Sequence, residues 1–308
     1  MQTPDVDLEA ILSGHQNPIY TVENGPQPHM LFTAGNDKGV VLWDLRKMGF
    51  DRILMPVQSS VYSLHFIPQA KLLVVGERSG KASVFDFKSG GIRGILAHHH
   101  QAVFDIQSIP EKGEILLASA DGTVSVWDWN SLKMVHKIFL THTTVRRIAL
   151  SPDTHTLAFG CKDGRIHIYD SREYALIKTI HVHTAPVTAL AFSPDHSLLL
   201  SGGRDARLNL LHTGDFTLKQ EIVAHMFTIY DILYHPILPL VATVSRDKSL
   251  KLWDSRDFRL LKVISLERGY EAHRLSINKG IWNPYRNQLI SVGDEKLAYV
   301  WNIKDPAG

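Results

Sequence analysis

The sequence predicts an all-β chain built from seven copies of one small antiparallel sheet. Three observations carry that reading. A five-residue ending recurs as VVLWD (40–44), ASVFD (82–86), VSVWD (124–128), IHIYD (166–170), LNLLH (208–212), LKLWD (250–254) and AYVWN (298–302). The fourth residues, Trp43, Phe85, Trp127, Tyr169, Leu211, Trp253 and Trp301, are spaced by 42 residues except for a final interval of 48. The residue before each (Leu42, Val84, Val126, Ile168, Leu210, Leu252, Val300) is apolar and usually follows a polar one, the period-two signature of a strand. Four short strands per 42-residue unit is the arithmetic of a β-propeller blade, so the expected architecture is a seven-bladed β-propeller.

Each element follows in chain order. The stretch LEAIL (8–12) precedes the first copy, and the last copy ends at its third strand, VWNIKD. Residues 8–12 are therefore expected to complete the last blade and close the ring, hiding a sheet edge. Most copies then carry a histidine four residues ahead of a Val or Ile: His15, His99, His183, His225 and His273. An apolar strand follows, such as KLLVV, EILLAS or SLLLS, and then a turn residue six positions before the aromatic. Those turn residues are Asp37, Ser79, Asp121, Asp163, Asp205, Asp247 and Glu295. Little chain remains outside the repeats, so residues 1–308 read as a single domain.

The bulk composition narrows the class without naming a partner. Thirty-three basic and 31 acidic residues nearly cancel, so any charge signal is local. No apolar run reaches the length of a membrane span, and MQTPDVDLEAILSG has neither the basic nor the apolar region of a signal peptide. The one cysteine, Cys161, has no partner for an internal disulfide, which suits the reducing cytoplasm or, in a eukaryote, the nucleus. It occupies the position of Gly35, Ser119, Gly203, Ser245 and Gly293 and reads as a small core filler.

The segments GH…AGNDKGVVLWD, ASADGTVSVWD and TVSRDKSLKLWD resemble WD repeats, and the resemblance covers essentially the whole chain. It implies a buried chain of hydrogen bonds in each blade: Trp to a Ser or Thr hydroxyl, hydroxyl to His, His to the turn acid. Matched residue by residue, the first blade offers His15, Thr33, Asp37 and Trp43, and the sixth His225, Thr243, Asp247 and Trp253. The seventh offers His273, Ser291, Glu295 and Trp301. The fifth has His183, Ser201 and Asp205 but Leu211 for Trp, and the third has His99, Asp121 and Trp127 with Ser119 displaced by two residues. The second blade has Val57 for His and Ser79 for Asp, so no network is expected there. In the fourth, Phe159 replaces the hydroxyl and His142 is one residue out of register, so it too is expected to depend on packing.

This network also answers the question raised by His98-His99-His100, which by itself looks like a metal or catalytic site. His99 falls on the blade position, and His98 and His100 flank it in a loop where they would add positive charge near pH 6. No metal, cofactor or catalytic constellation is expected: the common nucleophile, zinc and phosphate-loop motifs are missing. Asp105 and Asp231 sit at matching positions where a channel-facing carboxylate could bind a cation, a minor alternative.

Function is expected where the His loop and the acid turn share one face of each blade. One set of side chains there follows the Val or Ile opening each first strand: Tyr20, Tyr62, Phe104, Arg146, Thr188, Tyr230 and Asn278. The other precedes each turn acid: Asn36, Arg78, Ala120, Lys162, Arg204, Arg246 and Asp294. Aromatics and Arg are enriched at interface hot spots, and Arg clusters capture acidic or phosphorylated segments. Six extra residues enter the seventh blade within SLERGYEAH, with Arg268 and Tyr270 near the tip of that loop. The expected function is a non-enzymatic scaffold, monomeric or within a larger complex, that binds an acidic or phosphorylated peptide or protein segment. The candidate partner-binding residues are Tyr20, Tyr62, Phe104, Arg146, Tyr230, Arg78, Lys162, Arg204, Arg246 and Tyr270. The alternative is binding of single-stranded nucleic acid, against which the pI near 8.5 argues. No membrane association is expected.

Overall fold

Alternation puts every second side chain of a segment on one face, and each copy buries that face in an antiparallel sheet. The computed structural model describes residues 3–304; Met1, Gln2 and 305–308 of the expected domain lie outside them. It shows seven four-stranded sheets, the blades of a β-propeller. In the first blade the strands are Ile19–Asn24, Met30–Gly35, Gly39–Asp44 and Gly49–Pro56. The next five blades repeat this order. The seventh takes its fourth strand from the start of the chain: Asp5–Ser13 pairs antiparallel with Leu297–Lys304, from Asp5 opposite Lys304 to Ser13 opposite Leu297.

The sheets gather into two compact units. Ser59–Ala224 holds blades two to five, and the chain up to Gln58 with the chain from His225 on holds blades six, seven and one. In the Ser59–Ala224 unit the first strands Val61–Ile67, Val103–Ile109, Val145–Leu150 and Val187–Phe192 pack side by side. In the other unit Ile229–Tyr234, Ile277–Asn283 and Ile19–Asn24 do the same. Apolar side chains fill the space between neighbouring sheets. Val74, Val84, Val103 and Trp127 share one such core, and Leu252, Ile277, Leu289 and Trp301 share another.

Polar staples join adjacent first strands. The Asp105 carboxylate accepts from the Ile148 N–H at 2.8 Å and lies 3.7 Å from Arg147, whose Nε donates to the Thr188 carbonyl at 2.9 Å. Asp231 accepts from the Gly280 N–H at 3.3 Å. Their carboxylates thus link neighbouring first strands, the role the structure gives to Asp105 and Asp231. Backbone N–H groups satisfy the oxygens at low cost because the bulged first strands bring them within reach. Among the described residues, no helix is long and apolar enough to cross a membrane.

The turn acids owe their position to backbone chirality. The next residue in every copy adopts positive φ, from 57° at Lys38 to 90° at Gly80, and three copies use glycine there. The six-residue insertion forms one turn of 3-10 helix, Leu266–Arg268. Leu266, Glu267 and Arg268 are exposed at its tip, whereas Tyr270 is half-buried and folds back onto the apolar core of blades six and seven.

Candidate functional site

The blade networks form the buried base of the site. In the first blade the Trp43 indole N–H donates to Thr33 Oγ1 at 2.6 Å, and His15 lies 2.7 Å from Thr33 and 2.5 Å from Asp37. In the sixth, Trp253 to Thr243, His225 to Thr243 and His225 to Asp247 span 2.9, 2.8 and 2.9 Å. In the seventh, Trp301 and His273 meet Ser291 at 2.9 and 2.7 Å, and His273 bonds Glu295. A carboxylate only accepts, so each His Nδ1 carries the proton and Nε2 accepts from the hydroxyl.

Two blades depart from the sequence expectation, and the fifth adds to it, through one shared position. In the third, the hydroxyl is Ser125, not Ser119: His99 and Trp127 each lie 2.8 Å from Ser125 Oγ. Ser119 instead donates to the Gln101 carbonyl and accepts from the Asp121 N–H. The second blade does have a network, centred on buried Glu77, whose carboxylate accepts from Ser59 at 3.0 Å and Ser83 at 3.1 Å. In the fifth, His183 lies 2.9 Å from Ser201 and 3.0 Å from Asp205 as expected, and where Leu211 offers no N–H, Asn209 Nδ2 reaches the Val182 carbonyl at 2.7 Å and lies 3.4 Å from His183 Nε2. Ser83, Ser125 and Asn209 all stand two residues before the terminal position. Period-two geometry puts that residue on the same face as the aromatic, a signal present in the sequence but unused. The fourth blade keeps Phe159 buried edge-on against Tyr169. Thr141 contacts Asp163 at 3.4 Å, and buried His167, again two residues before the terminal position, bonds Thr179 at 3.0 Å; His142 is exposed, against Phe139.

Burial pushes the His15 and His225 imidazoles below their ordinary 6.5, against the upward pull of Asp37 and Asp247. Burial alone would raise the Asp247 carboxyl, but the bonds from His225, Ser249 and the Met226 N–H hold it well below the carboxylate range. Both shifts weaken the fold in acid. The unfolded chain protonates these histidines near pH 6.5 while the native chain resists, so their contribution is lost as pH falls through 6.5. The Asp247 contribution is present above about 3.8 and goes as pH falls further, through the depressed folded value. The urea midpoint should therefore drop between about pH 7.5 and pH 5.5; a constant or rising midpoint would contradict the neutral-imidazole assignment. Burial likewise lowers the His98 imidazole below its ordinary 6.5. The Cys161 thiol, fully buried, is pushed up to about 12. Among the described residues no group of three His, Cys, Asp or Glu side chains is arranged to hold a metal.

The candidate binding side chains stand above this base, and two local features put them there. Each residue of the aromatic-rich set is a β-bulge: the register skips Tyr20, Tyr62, Phe104, Arg146, Thr188, Tyr230 and Asn278. A bulge leaves its residue out of the ladder and re-aims the side chain. The residue before each turn acid donates its N–H to the carbonyl just ahead of the same first strand, as Arg78 to Ser60 (2.8 Å), Lys162 to Thr144 (2.8 Å), Arg204 to Pro186 (2.9 Å) and Arg246 to Thr228 (3.0 Å). That bond brings the two sets to one end of each blade.

In the Ser59–Ala224 unit three of the bulge residues make a ladder across blades two, three and four. The Tyr62 and Phe104 rings stack at 5.2 Å and 27°, and the Arg146 guanidinium carbon lies 4.9 Å from the Phe104 ring centre. Arg78, Lys162 and Arg204 are exposed in the same unit. Thr188, at the fifth blade's bulge, is buried and donates to the Gly202 carbonyl. In the other unit Tyr20 and Tyr230 are half-buried, Arg246 is exposed 5.9 Å from the Phe227 ring, and Asn278 donates to the Ile19 carbonyl and to Asp294, both at 2.8 Å. Phe227 carries no periodic signature and escaped sequence reasoning.

Five segments, residues 7–44, 90–128, 133–170, 174–210 and 216–254, match the family model described as WD domain, G-beta repeat. The unmatched intervals hold the second copy, which lacks both His and Asp, and the seventh, which follows the 48-residue spacing. No curated protein matches the chain.

Proposed function

The chain belongs to the WD-repeat family, whose propellers are generally protein-interaction scaffolds, and on that premise we propose that it binds an acidic or phosphorylated peptide segment through the Ser59–Ala224 unit. The observation that supports this is the Tyr62–Phe104–Arg146 ladder with exposed Arg78, Lys162 and Arg204 in the same unit. An aromatic stack and a cation over its face contribute about 0.5–1.5 and 0.5–1 kcal/mol beyond burial, so the three side chains are held in place before a partner arrives. Pre-ordering lowers the entropic cost of binding. Guanidinium and ammonium groups beside such a platform favour carboxylate or phosphate through charge-assisted hydrogen bonds. Tyr20, Tyr230 and Arg246 would make analogous contacts in the other unit. This is the chemistry of a binding module rather than of an enzyme.

The test is binding to an array of short peptides bearing phosphoserine, phosphothreonine or Asp/Glu runs. Combined Arg78→Glu, Lys162→Glu and Arg204→Glu should weaken capture at least about tenfold, leave the melting temperature unchanged, and abolish the salt dependence of binding. Undiminished capture would reject the reading. Capture of random single-stranded oligonucleotides at physiological salt, lost in the same variant, would replace it with nucleic-acid binding.

A further inference from the structure

Two sets stand out among the exposed apolar side chains; others, such as Ile53, Ile95 and Ile177 on fourth strands and Ile237 in a turn of blade six, are scattered over the surface. Phe50, Ile92, Met134, Leu176, Leu218 and Leu260 recur at 42-residue spacing, and each sits opposite the terminal aromatic position of its blade on the neighbouring strand. These residues cover that position, as the edge-on contact of Phe50 with Trp43 at 6.2 Å shows, and the repeat itself explains them.

The second group has no such reason. Met226 is 81% exposed and Phe227 53%, directly after the network residue His225; Leu275 is 47% exposed, two residues after His273. Leu266, 42% exposed, opens the 3-10 turn of the insertion. The other copies place Gln16-Asn17, Gln58-Ser59, His100-Gln101, His142-Thr143 and Thr184-Ala185 at the positions of Met226-Phe227. A blade therefore builds its His loop without bulky apolar residues there, and blades six and seven, both in one unit, depart from the pattern.

The insertion and the His loop of blade six meet around Asp247, and Leu275 follows the insertion on the chain entering blade seven. The Met226 N–H donates to Asp247 at 2.9 Å, and the Leu275 N–H to Glu295 at 2.9 Å. Arg246 sits over Phe227. Glu267 of the insertion is close enough to Lys248 and Asp247 to feel both charges, and Arg268 acts on Lys251 of blade six. Around the apolar side chains the exposed charges are Arg246, Lys248, Arg268, Arg274 and Lys296, against Glu267 and Glu271. Asp247, Glu295 and Asp294 are engaged by His225, His273 and Asn278, so they offer little to a partner.

We infer that this loop surface of blades six and seven docks an amphipathic protein segment, one that presents bulky apolar residues to Met226, Phe227, Leu266 and Leu275 and carboxylates to the surrounding cations. Contiguous apolar surface rimmed by charge marks interaction sites, and an unbranched Met adapts to varied apolar partners. Two exposed glutamates within the cationic rim favour a peptide, which can match mixed signs, over an anionic bilayer, which repels both. This surface goes beyond the ladder of the Ser59–Ala224 unit, because burial of apolar side chains and not charge capture supplies its driving force.

The experiment pans a phage library of random twelve-residue peptides on the full chain. The expected result is enrichment of peptides with two or more bulky apolar residues among Asp and Glu. Met226→Ser with Phe227→Ser should weaken them at least about tenfold, and Arg78→Glu with Arg204→Glu should leave them unchanged. Both serine sites are highly exposed, so the melting temperature should not move; Leu275→Ser provides an independent variant. Failure to enrich such peptides, or binding indifferent to all three serine substitutions, would overturn the inference. So would patch-dependent adsorption to phosphatidylserine vesicles without peptide binding, or a dimer that the same substitutions dissociate.

Discussion

Deleting residues 3–13 is expected to abolish soluble, cooperatively folding protein. That segment supplies the fourth strand of the seventh blade, in register with Leu297–Lys304 along its length. It buries Val6 and Leu12 in two different apolar cores, and packs Leu8 and Ile11 against the core that holds Val6. Full burial of an aliphatic side chain is worth about 1.5–3 kcal/mol, so the buried pair alone rivals the low end of a domain's total stability of about 5–15 kcal/mol. Asp7 also pairs with Lys304 at 2.9 Å, and Glu9 accepts from Asn302 at 2.7 Å, but these exposed contacts add little. Without the segment, the row of N–H and C=O groups along Leu297–Lys304 is open to pairing with other chains. A synthetic peptide of residues 3–15 supplied during refolding should restore soluble protein. A truncated chain that melts within a few degrees of the full chain would show that the seventh blade stands on three strands.

Replacing His225 with alanine should cost about 3 kcal/mol, because Thr243 and Asp247 each lose a buried partner and such losses run about 1–3 kcal/mol apiece. In the fourth blade, Thr141→Val should cost about 1 kcal/mol, since the 3.4 Å contact with Asp163 is long and the other bonds lost, with the Thr143 hydroxyl at 3.3 Å and from the Thr143 N–H at 3.2 Å, are only half-buried. Glu77→Ala in the second blade separates two pictures of that sheet. With no network, as the missing His and Asp suggested, it would be a mild change; with Ser59 and Ser83 donating to its carboxylate, it should cost about 2 kcal/mol. Urea unfolding monitored by tryptophan fluorescence measures all three. Equal losses at His225 and Thr141 would mean that packing, not the hydrogen-bond chain, sets blade stability.

The same contrast shows how far the sequence could be read. The aromatic spacing, the His positions and the turn acids are local in the repeat, and register against other copies locates each one. Ser125 and Glu77 were legible in principle, because strand alternation puts Ser125 beside Trp127 and a carboxylate can accept from two hydroxyls. They were passed over because the expectation matched fixed positions rather than a shared sheet face. Tyr270 was misplaced for a different reason: a six-residue insertion has no periodic partner in the other copies, so only packing decides which side chain turns inward.

By itself the sequence determined the seven copies, the four strands of each, the strand borrowed from residues near the start of the chain, and which residues lead every blade's first strand. Those are consequences of spacing and alternation within one sheet, which depend on backbone geometry alone. Only the tertiary structure decided that Tyr62, Phe104 and Arg146 touch, that Asp105 and Asp231 staple neighbouring strands, and that Met226, Phe227, Leu266 and Leu275 remain uncovered. Each of those facts is a distance between sheets or loops, or an area left to solvent. Both are set by how the sheets pack and where their bulges aim the side chains, which no periodicity along the chain encodes.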